Sequence, residues 1–260
     1  MEQERMALLG STFFYFFSCC WLFFIFKTKN FRPGRFQFAA ILLGVVFQSW
    51  FLMLRGALER SCPIGTLSET LIFLSWAIGL FYLVIGPTYR ISLMGTFTAP
   101  FILGLQCAAL LLPNAARMPI ITPSPFVEAH AALSLIAFGA FGLACVSAMM
   151  FLVQERQLKS QHPSLIFRQL PPINLLEKVT ARLLWLGWVL LTISFAAGFL
   201  AKLPVSGTRI VIAFIFWGAI VTLLLARQAH HLSVRRFAAL AGFVFLFSII
   251  ILFGIHFLSQ

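Results

Sequence analysis

Histidine and glutamate are the side chains in this 260-residue sequence best suited to binding a metal or moving a proton, and aspartate is absent. His130 and His256 each lie at the end of a long apolar run. Neutral imidazole is a common metal ligand. Two imidazoles at one depth on different helices would suit the two axial positions of a haem iron, with apolar helices holding the porphyrin. Two ordinary interfacial histidines are the alternative, and the residues alone leave both interpretations open.

The composition indicates which kind of structure must position these histidines. Hydrophobic residues make up 61% of the chain, charged residues 10%, and the mean hydropathy is +0.98. Soluble proteins have roughly a quarter of their residues charged, so the sequence predicts an integral membrane protein. The net charge of +12 is spread between apolar runs, which is typical of membrane topology and predicts no nucleic-acid partner.

Eight apolar runs are long enough to cross a bilayer, which takes about 20 residues. We therefore predict an all-α fold, a polytopic transmembrane bundle of eight helices that forms one domain over residues 1–260. The predicted spans are 7–26, 36–55, 67–86, 91–112, 129–153, 180–201, 209–226 and 237–258.

The basic residues predict the orientation of these spans. Most of the 19 Lys and Arg residues follow the first, third, fifth and seventh runs, and such connections face the cytoplasm. Both termini are then expected outside, together with His130 and His256. The other histidines, His162, His230 and His231, fall on the cytoplasmic side, where a basic interfacial cluster explains His230 and His231.

Two acids share the outer face with the histidine pair. Glu69 and Glu128 lie near the starts of the third and fifth helices, where the helix dipole favours a negative charge. Capping is therefore one explanation for each. The other is that an acid accepts a hydrogen bond from the second ring nitrogen of a ligating histidine, and on this basis we add Glu69 to the candidate site.

The most specific pattern lies at residues 63–76. This segment resembles the signature that opens a transmembrane helix in the cytochrome c assembly family, and a G-x-x-T-A-P pattern like the family's follows in the next helix. His130, and His256 within Gly254-Ile255-His256, are similar to the two external histidines of that family. The motif positions that match are Pro63, Leu67, Glu69, Leu71, Phe73, Leu74, Ser75, Trp76, Gly95, Thr98 and Pro100.

The sequence departs from the family pattern at two places, and these indicate which branch of the family it resembles. Members that pass haem to apocytochromes have a Trp-rich external loop, whereas residues 202–209 contain no Trp and no acid. The histidine expected inside the seventh helix is replaced by Leu225. The chain therefore looks most like the HemX-type branch, which lacks the haem-presenting loop. Its sixth helix still fits a family stretch through Gly187, Leu191, Thr192 and Gly198.

The resemblance implies haem b as cofactor, with His130 and His256 as axial ligands of its iron. It also implies haem, membrane lipid, apocytochrome c and other cytochrome c assembly proteins as partners, and a bacterial inner (plasma) membrane as location. We expect no enzyme, since no activated nucleophile or P-loop is present. Two alternatives stay open: a regulatory or structural scaffold without haem, and a transporter component, for which Gln48 and Gln106 are the polar mid-membrane residues.

Overall fold

The computed structural model describes residues 2–28, 35–88, 94–112, 124–160, 171–202 and 207–257. These residues form eight helices and contain no strand, which confirms the predicted all-α class. The helices are α1 (Glu2–Thr28), α2 (Arg35–Glu59), α3 (Leu67–Thr88), α4 (Met94–Leu111), α5 (Pro125–Ser160), α6 (Ile173–Leu200), α7 (Gly207–Gln228) and α8 (Val234–Phe257).

Seven of these helices, α2 to α8, are long and apolar enough to cross a membrane within the described residues. The chain is therefore a multi-pass membrane protein. Helix α1 is outside that set, so the span predicted at 7–26 stays a prediction, as do the external termini. Large apolar side chains such as Phe199, 86% exposed, and Leu111, 84% exposed, lie on the surface, as expected where lipid rather than water surrounds the helices.

Helices α5 and α6 are longer than their predicted spans. Helix α5 extends to Ser160, and α6 begins at Ile173, directly after the Pro171-Pro172 pair. Residues 154–160 and 173–179, at the two ends of the segment predicted as a connection, are therefore helical. The proline pair explains where α6 begins, because proline disfavours helical conformation in the residue before it but is tolerated at a helix start.

The chain divides into two compact units. Unit 1 contains residues 1–118 and 153–173, and unit 2 contains residues 119–152 and 174–260. The prediction of a single domain remains a prediction.

Buried polar side chains join the four helices of unit 1. The Tyr15 hydroxyl of α1 donates to Gln48 Oε1 of α2 at 2.7 Å. Gln48 Nε2 lies 2.6 Å from Ser75 Oγ of α3 and 2.9 Å from Gln106 Oε1 of α4, and Gln106 Nε2 lies 2.6 Å from Ser11 Oγ of α1. The two glutamines that motivated the transporter hypothesis therefore have hydrogen-bond partners that explain their presence in an apolar core.

The family-like motif positions also serve packing in unit 1. Trp76 Nε1 donates to Ser49 Oγ of α2 at 2.8 Å, and Leu67, Leu71 and Leu74 are buried. A Cβ added to Gly95 would lie 2.4 Å from the Tyr82 hydroxyl oxygen, so α3 and α4 approach closely only because residue 95 is glycine. The motif is thus a packing signature of α2, α3 and α4.

Successive helices of unit 2, from α5 to α8, run antiparallel to each other. The start of α5 meets the end of α6 at His130 and Ser194, while Ser147 of α5 donates to the Leu176 carbonyl near the start of α6. Helix α6 meets α7 through Glu177 and Arg227 at one end and through Phe195 and Phe214 at the other. Phe216 of α7 contacts Phe247 of α8, and only residues 229–233 connect these two packed helices, which gives the up-and-down arrangement typical of helix bundles.

Candidate functional site

The first turns of α5 present His130 at one end of unit 2. Pro125 is the first helical residue, where a missing N–H costs nothing, and the Ser124 carbonyl accepts the Glu128 N–H at 3.2 Å. Glu128 lies in this first turn, as the capping explanation expects. His130 follows two residues after Glu128 and has a partly exposed side chain.

Ser194 of α6 is the hydrogen-bonding partner of His130. His130 Nδ1 lies 2.8 Å from the Ser194 carbonyl oxygen and 3.1 Å from Ser194 Oγ. Ser194 Oγ also donates to the His130 carbonyl oxygen at 2.8 Å. Its single proton is used there, so it cannot serve Nδ1 as well.

This geometry assigns the tautomer of the imidazole. An unprotonated Nδ1 would place its lone pair against the lone pairs of the Ser194 carbonyl oxygen, which is repulsive at 2.8 Å. A protonated Nδ1 donates to that oxygen instead. In the neutral ring Nε2 then carries the free lone pair, and this is the atom that can bind a metal.

Two small residues, Ser134 and Gly198, lie close to the contact between His130 and Ser194. Ser134, one turn further along α5, has its Oγ 2.6 Å from Ser194 Oγ. Because the Ser194 hydroxyl donates to His130, Ser134 is the donor in this contact. A Cβ added to Gly198 would lie 2.7 Å from His130 Nδ1, so the imidazole occupies space on α6 that only a glycine leaves open.

The backbone of α8 brings residue 256 to the same end of unit 2. Gly242 of α8 faces α5, since an added Cβ would lie 3.9 Å from Cys145 Sγ. His130 lies about 22 Å before Cys145 along α5, and His256 lies about 21 Å after Gly242 along α8. The two helices are antiparallel, so these displacements point the same way. The His256 side chain lies outside the described residues.

Glu69 has a different set of described partners. Its carboxylate accepts from Arg55 Nε at 2.8 Å, and Arg55 also pairs with Glu4 at 3.1 Å. Glu69 Oε2 accepts the Thr66 N–H, and Thr66 Oγ1 accepts the Glu69 N–H, which is the reciprocal capping box of a helix start. Helix capping therefore accounts for Glu69 in unit 1. A hydrogen bond from a ligating histidine to Glu69 stays a prediction.

The described partner of the His130 ring nitrogen Nδ1 is the main-chain oxygen of Ser194. The sequence analysis left an acid, Glu69 or Glu128, open as the acceptor beside its capping role. No charged side chain is needed, because a carbonyl fixes the tautomer equally well. Sequence reasoning missed Ser194 and Ser134, although Gly198 already stood out in the family-like stretch of the sixth helix.

The remaining described histidines, His230 and His231, lie at the opposite end of unit 2. Both are exposed and end α7 in a Schellman arrangement, with His231 N–H bound to the Ala226 carbonyl and His230 N–H bound to that of Arg227. This agrees with their interpretation as an interfacial basic cluster. His162 lies outside the described residues.

Comparison with known proteins identifies the family of this membrane protein. Residues 64–260 match the family described as Cytochrome C assembly protein. The chain therefore belongs to the cytochrome c assembly family, as its motifs predict. The match begins at the α3 signature and includes α8 with Gly254 and His256.

Individual relatives agree with this assignment. Protein HemX of Brevibacillus brevis is 28% identical over 214 residues, which cover 80% of this chain and 78% of that protein. The cytochrome c biogenesis protein CcsA of Trichormus variabilis is 30% identical over 99 residues, or 36% of this chain and 28% of that protein. An uncharacterised 28.8 kDa protein of Azospirillum brasilense is 29% identical over 102 residues, covering 38% and 37% of the two chains.

Proposed function

We propose that this membrane protein of the cytochrome c assembly family binds haem b through His130 and His256 at the outer face of a bacterial inner membrane. The observation that carries the proposal is the His130–Ser194 contact, which leaves Nε2 of the imidazole with its lone pair. The space that Gly198 leaves for the ring supports it, because a bulkier residue would displace the imidazole.

The proposed roles of the residues follow from their surroundings. His130 supplies a neutral nitrogen whose direction is held by α6, and α8 supplies the second imidazole, His256, from the same end of unit 2. The apolar faces of α5 to α8 exclude water from a bound macrocycle. His130 and His256 would hold the haem, and its iron would accept a nitrogen ligand from each.

In the cell, the protein would hold or hand over haem during cytochrome c maturation, together with other assembly proteins and apocytochrome c. We propose a binding and handling role rather than catalysis. The absence of a Trp-rich segment at residues 202–209 favours a role before haem reaches the apocytochrome.

An absorption spectrum of the detergent-purified protein tests this proposal. The oxidised and dithionite-reduced forms are compared in wild type, His130→Ala and His256→Ala, with haem added during purification. We expect a b-type bis-imidazole spectrum that each variant loses or alters. His230→Ala and His231→Ala are matched controls at the opposite end of unit 2, and their spectra should equal wild type.

A regulatory or structural scaffold without haem is the second candidate. One observation favours it, namely that the motif residues of α3 and α4 serve helix packing in unit 1. A scaffold would yield a colourless protein that takes up no added haem but still co-purifies with membrane partners. Haem binding that depends on His130 or His256 would exclude it.

A further inference from the structure

We infer that Ser194 is the positioning residue for His130: it selects the tautomer of the imidazole and fixes the position of its main chain. The inference rests on the proposed haem site and deepens it, since it names a residue that acts through the ligand. It concerns atoms of this chain alone, so it is also testable in the apoprotein.

Two oxygen atoms of Ser194 form hydrogen bonds with His130, one as the acceptor and the other as the donor. The carbonyl oxygen of Ser194 accepts from the ring nitrogen Nδ1, and the hydroxyl donates to the carbonyl of His130. These bonds close a ring between α5 and α6. A flip of the imidazole by 180° would replace the Nδ1–H donor by a carbon and leave the Ser194 carbonyl without it, so one orientation is favoured.

Burial strengthens this arrangement. Ser194 is fully buried, so water does not compete for its hydroxyl, and hydrogen bonds are electrostatically stronger in such surroundings. Ser134 donates to Ser194 Oγ at 2.6 Å, which polarises the Ser194 hydroxyl toward His130. Ser134 therefore supports Ser194, and its removal should have the smaller effect.

The consequence concerns the strength of Nε2 as a ligand. An imidazole that donates its other N–H to a carbonyl is more basic at the ligating nitrogen. Such a ligand stabilises ferric iron over ferrous iron. Loss of the arrangement should therefore weaken haem binding and raise the reduction potential of bound haem.

The variants are Ser194→Ala and Ser134→Ala, with Ser147→Ala as the matched control. Ser147 is buried like Ser194 and also joins α5 to α6, since its hydroxyl donates to the Leu176 carbonyl at 3.1 Å, but it lies further along the helix pair. A defect caused by weaker α5–α6 packing alone would appear equally in Ser147→Ala.

The first readout uses the apoprotein. Nitrogen-15 NMR of histidine-labelled protein, with the His130 signal assigned from His130→Ala, reports which ring nitrogen carries the proton. We expect the Nδ1–H tautomer in wild type, in Ser147→Ala and in Ser194→Ala, because alanine keeps the main-chain oxygen that accepts from Nδ1. A mixture of tautomers is expected in Gly198→Ala, where the added Cβ overlaps the ring. A wild type dominated by the Nε2–H tautomer would overturn the inference.

The second readout uses haem titration and redox potentiometry. We expect Ser194→Ala to bind haem about 10-fold more weakly, the lower end of the range for residues that orient metal ligands, because no hydroxyl then holds the main chain of His130. Its reduction potential should stay near wild type, because the carbonyl that accepts from Nδ1 remains, whereas Gly198→Ala should raise the potential. Ser134→Ala should show a smaller loss of affinity. A wild-type affinity in Ser194→Ala, or an equal loss in Ser147→Ala, would contradict the positioning role.

The two readouts separate this inference from the proposed function. A wild type that takes up no haem contradicts the haem proposal, while the tautomer measurement still decides what Ser194 does to His130. A wild type that binds haem and is indifferent to Ser194 contradicts the inference alone.

Discussion

His130 of α5 and Gly198 of α6 share one volume of space, because a single added carbon at residue 198 would lie 2.7 Å from the imidazole Nδ1. The glycine therefore does more than allow the helices to approach. It sets the orientation of the candidate ligand from a distance of 68 residues in sequence.

Gly198→Ala should displace the His130 imidazole. Because the new methyl group overlaps the ring, we expect a cost of about 1 to 3 kcal/mol in stability and a haem content well below wild type. Absorbance per mole of purified protein and a thermal unfolding curve measure the two effects. Gly218→Ala is the control, since a Cβ there meets no atom within 4 Å; equal behaviour of the two variants would contradict the proposed contact.

Arg55→Ala should destabilise unit 1. The guanidinium pairs with Glu4, Glu59 and Glu69, and its removal takes one positive charge away from these three carboxylates, a loss of about 2 to 4 kcal/mol. Thermal unfolding in detergent measures it. The exposed Lys159–Glu155 pair supplies the control, because Lys159→Ala should cost less than about 1 kcal/mol. An Arg55→Ala variant as stable as Lys159→Ala would show that the cluster contributes little.

Gln48→Leu should lower the stability of unit 1. The change leaves the Tyr15 hydroxyl and Gln106 Oε1 without partners in an apolar core, and each lost buried partner costs about 1 to 3 kcal/mol. Unfolding temperature is the measurement, and the exposed Gln228→Leu is the comparison. If Gln48→Leu kept wild-type stability but abolished flux of a substrate across vesicles, the transporter alternative would gain over the structural interpretation.

His230→Gly should stabilise the end of α7. His230 has a φ of 59° at the position after the helix where glycine is preferred, so glycine removes a strain of about 1 kcal/mol. His231 has no such conformation, and His231→Gly should be neutral or destabilising because it adds unfolded-state freedom. Thermal unfolding compares them, and both variants should keep the wild-type haem spectrum. A haem loss in His230→Gly would instead place a ligand at this end.

The helices of this protein follow almost directly from the sequence. Long apolar runs in a chain that is 61% hydrophobic can only satisfy their backbone groups in lipid by forming helices, so eight runs became eight helices. The starts of α3 and α5 were also readable, since Thr66 with Glu69 and Ser124 with Pro125 are local signals. Local chemistry decided them, and the sequence contains it.

Which side chains meet was decided by the tertiary structure. The packing of α5 against α6 brings His130 next to Ser194. Glu69 of α3 forms an ion pair with Arg55 of α2. An apolar helix can rotate about its axis or shift along a neighbour with little change in its periodicity, so the sequence does not show its partners. The sequence alone thus determined the class and the family and made the histidine pair a hypothesis, while the packing of α5 against α6 decided that Nδ1 of His130 faces the Ser194 carbonyl.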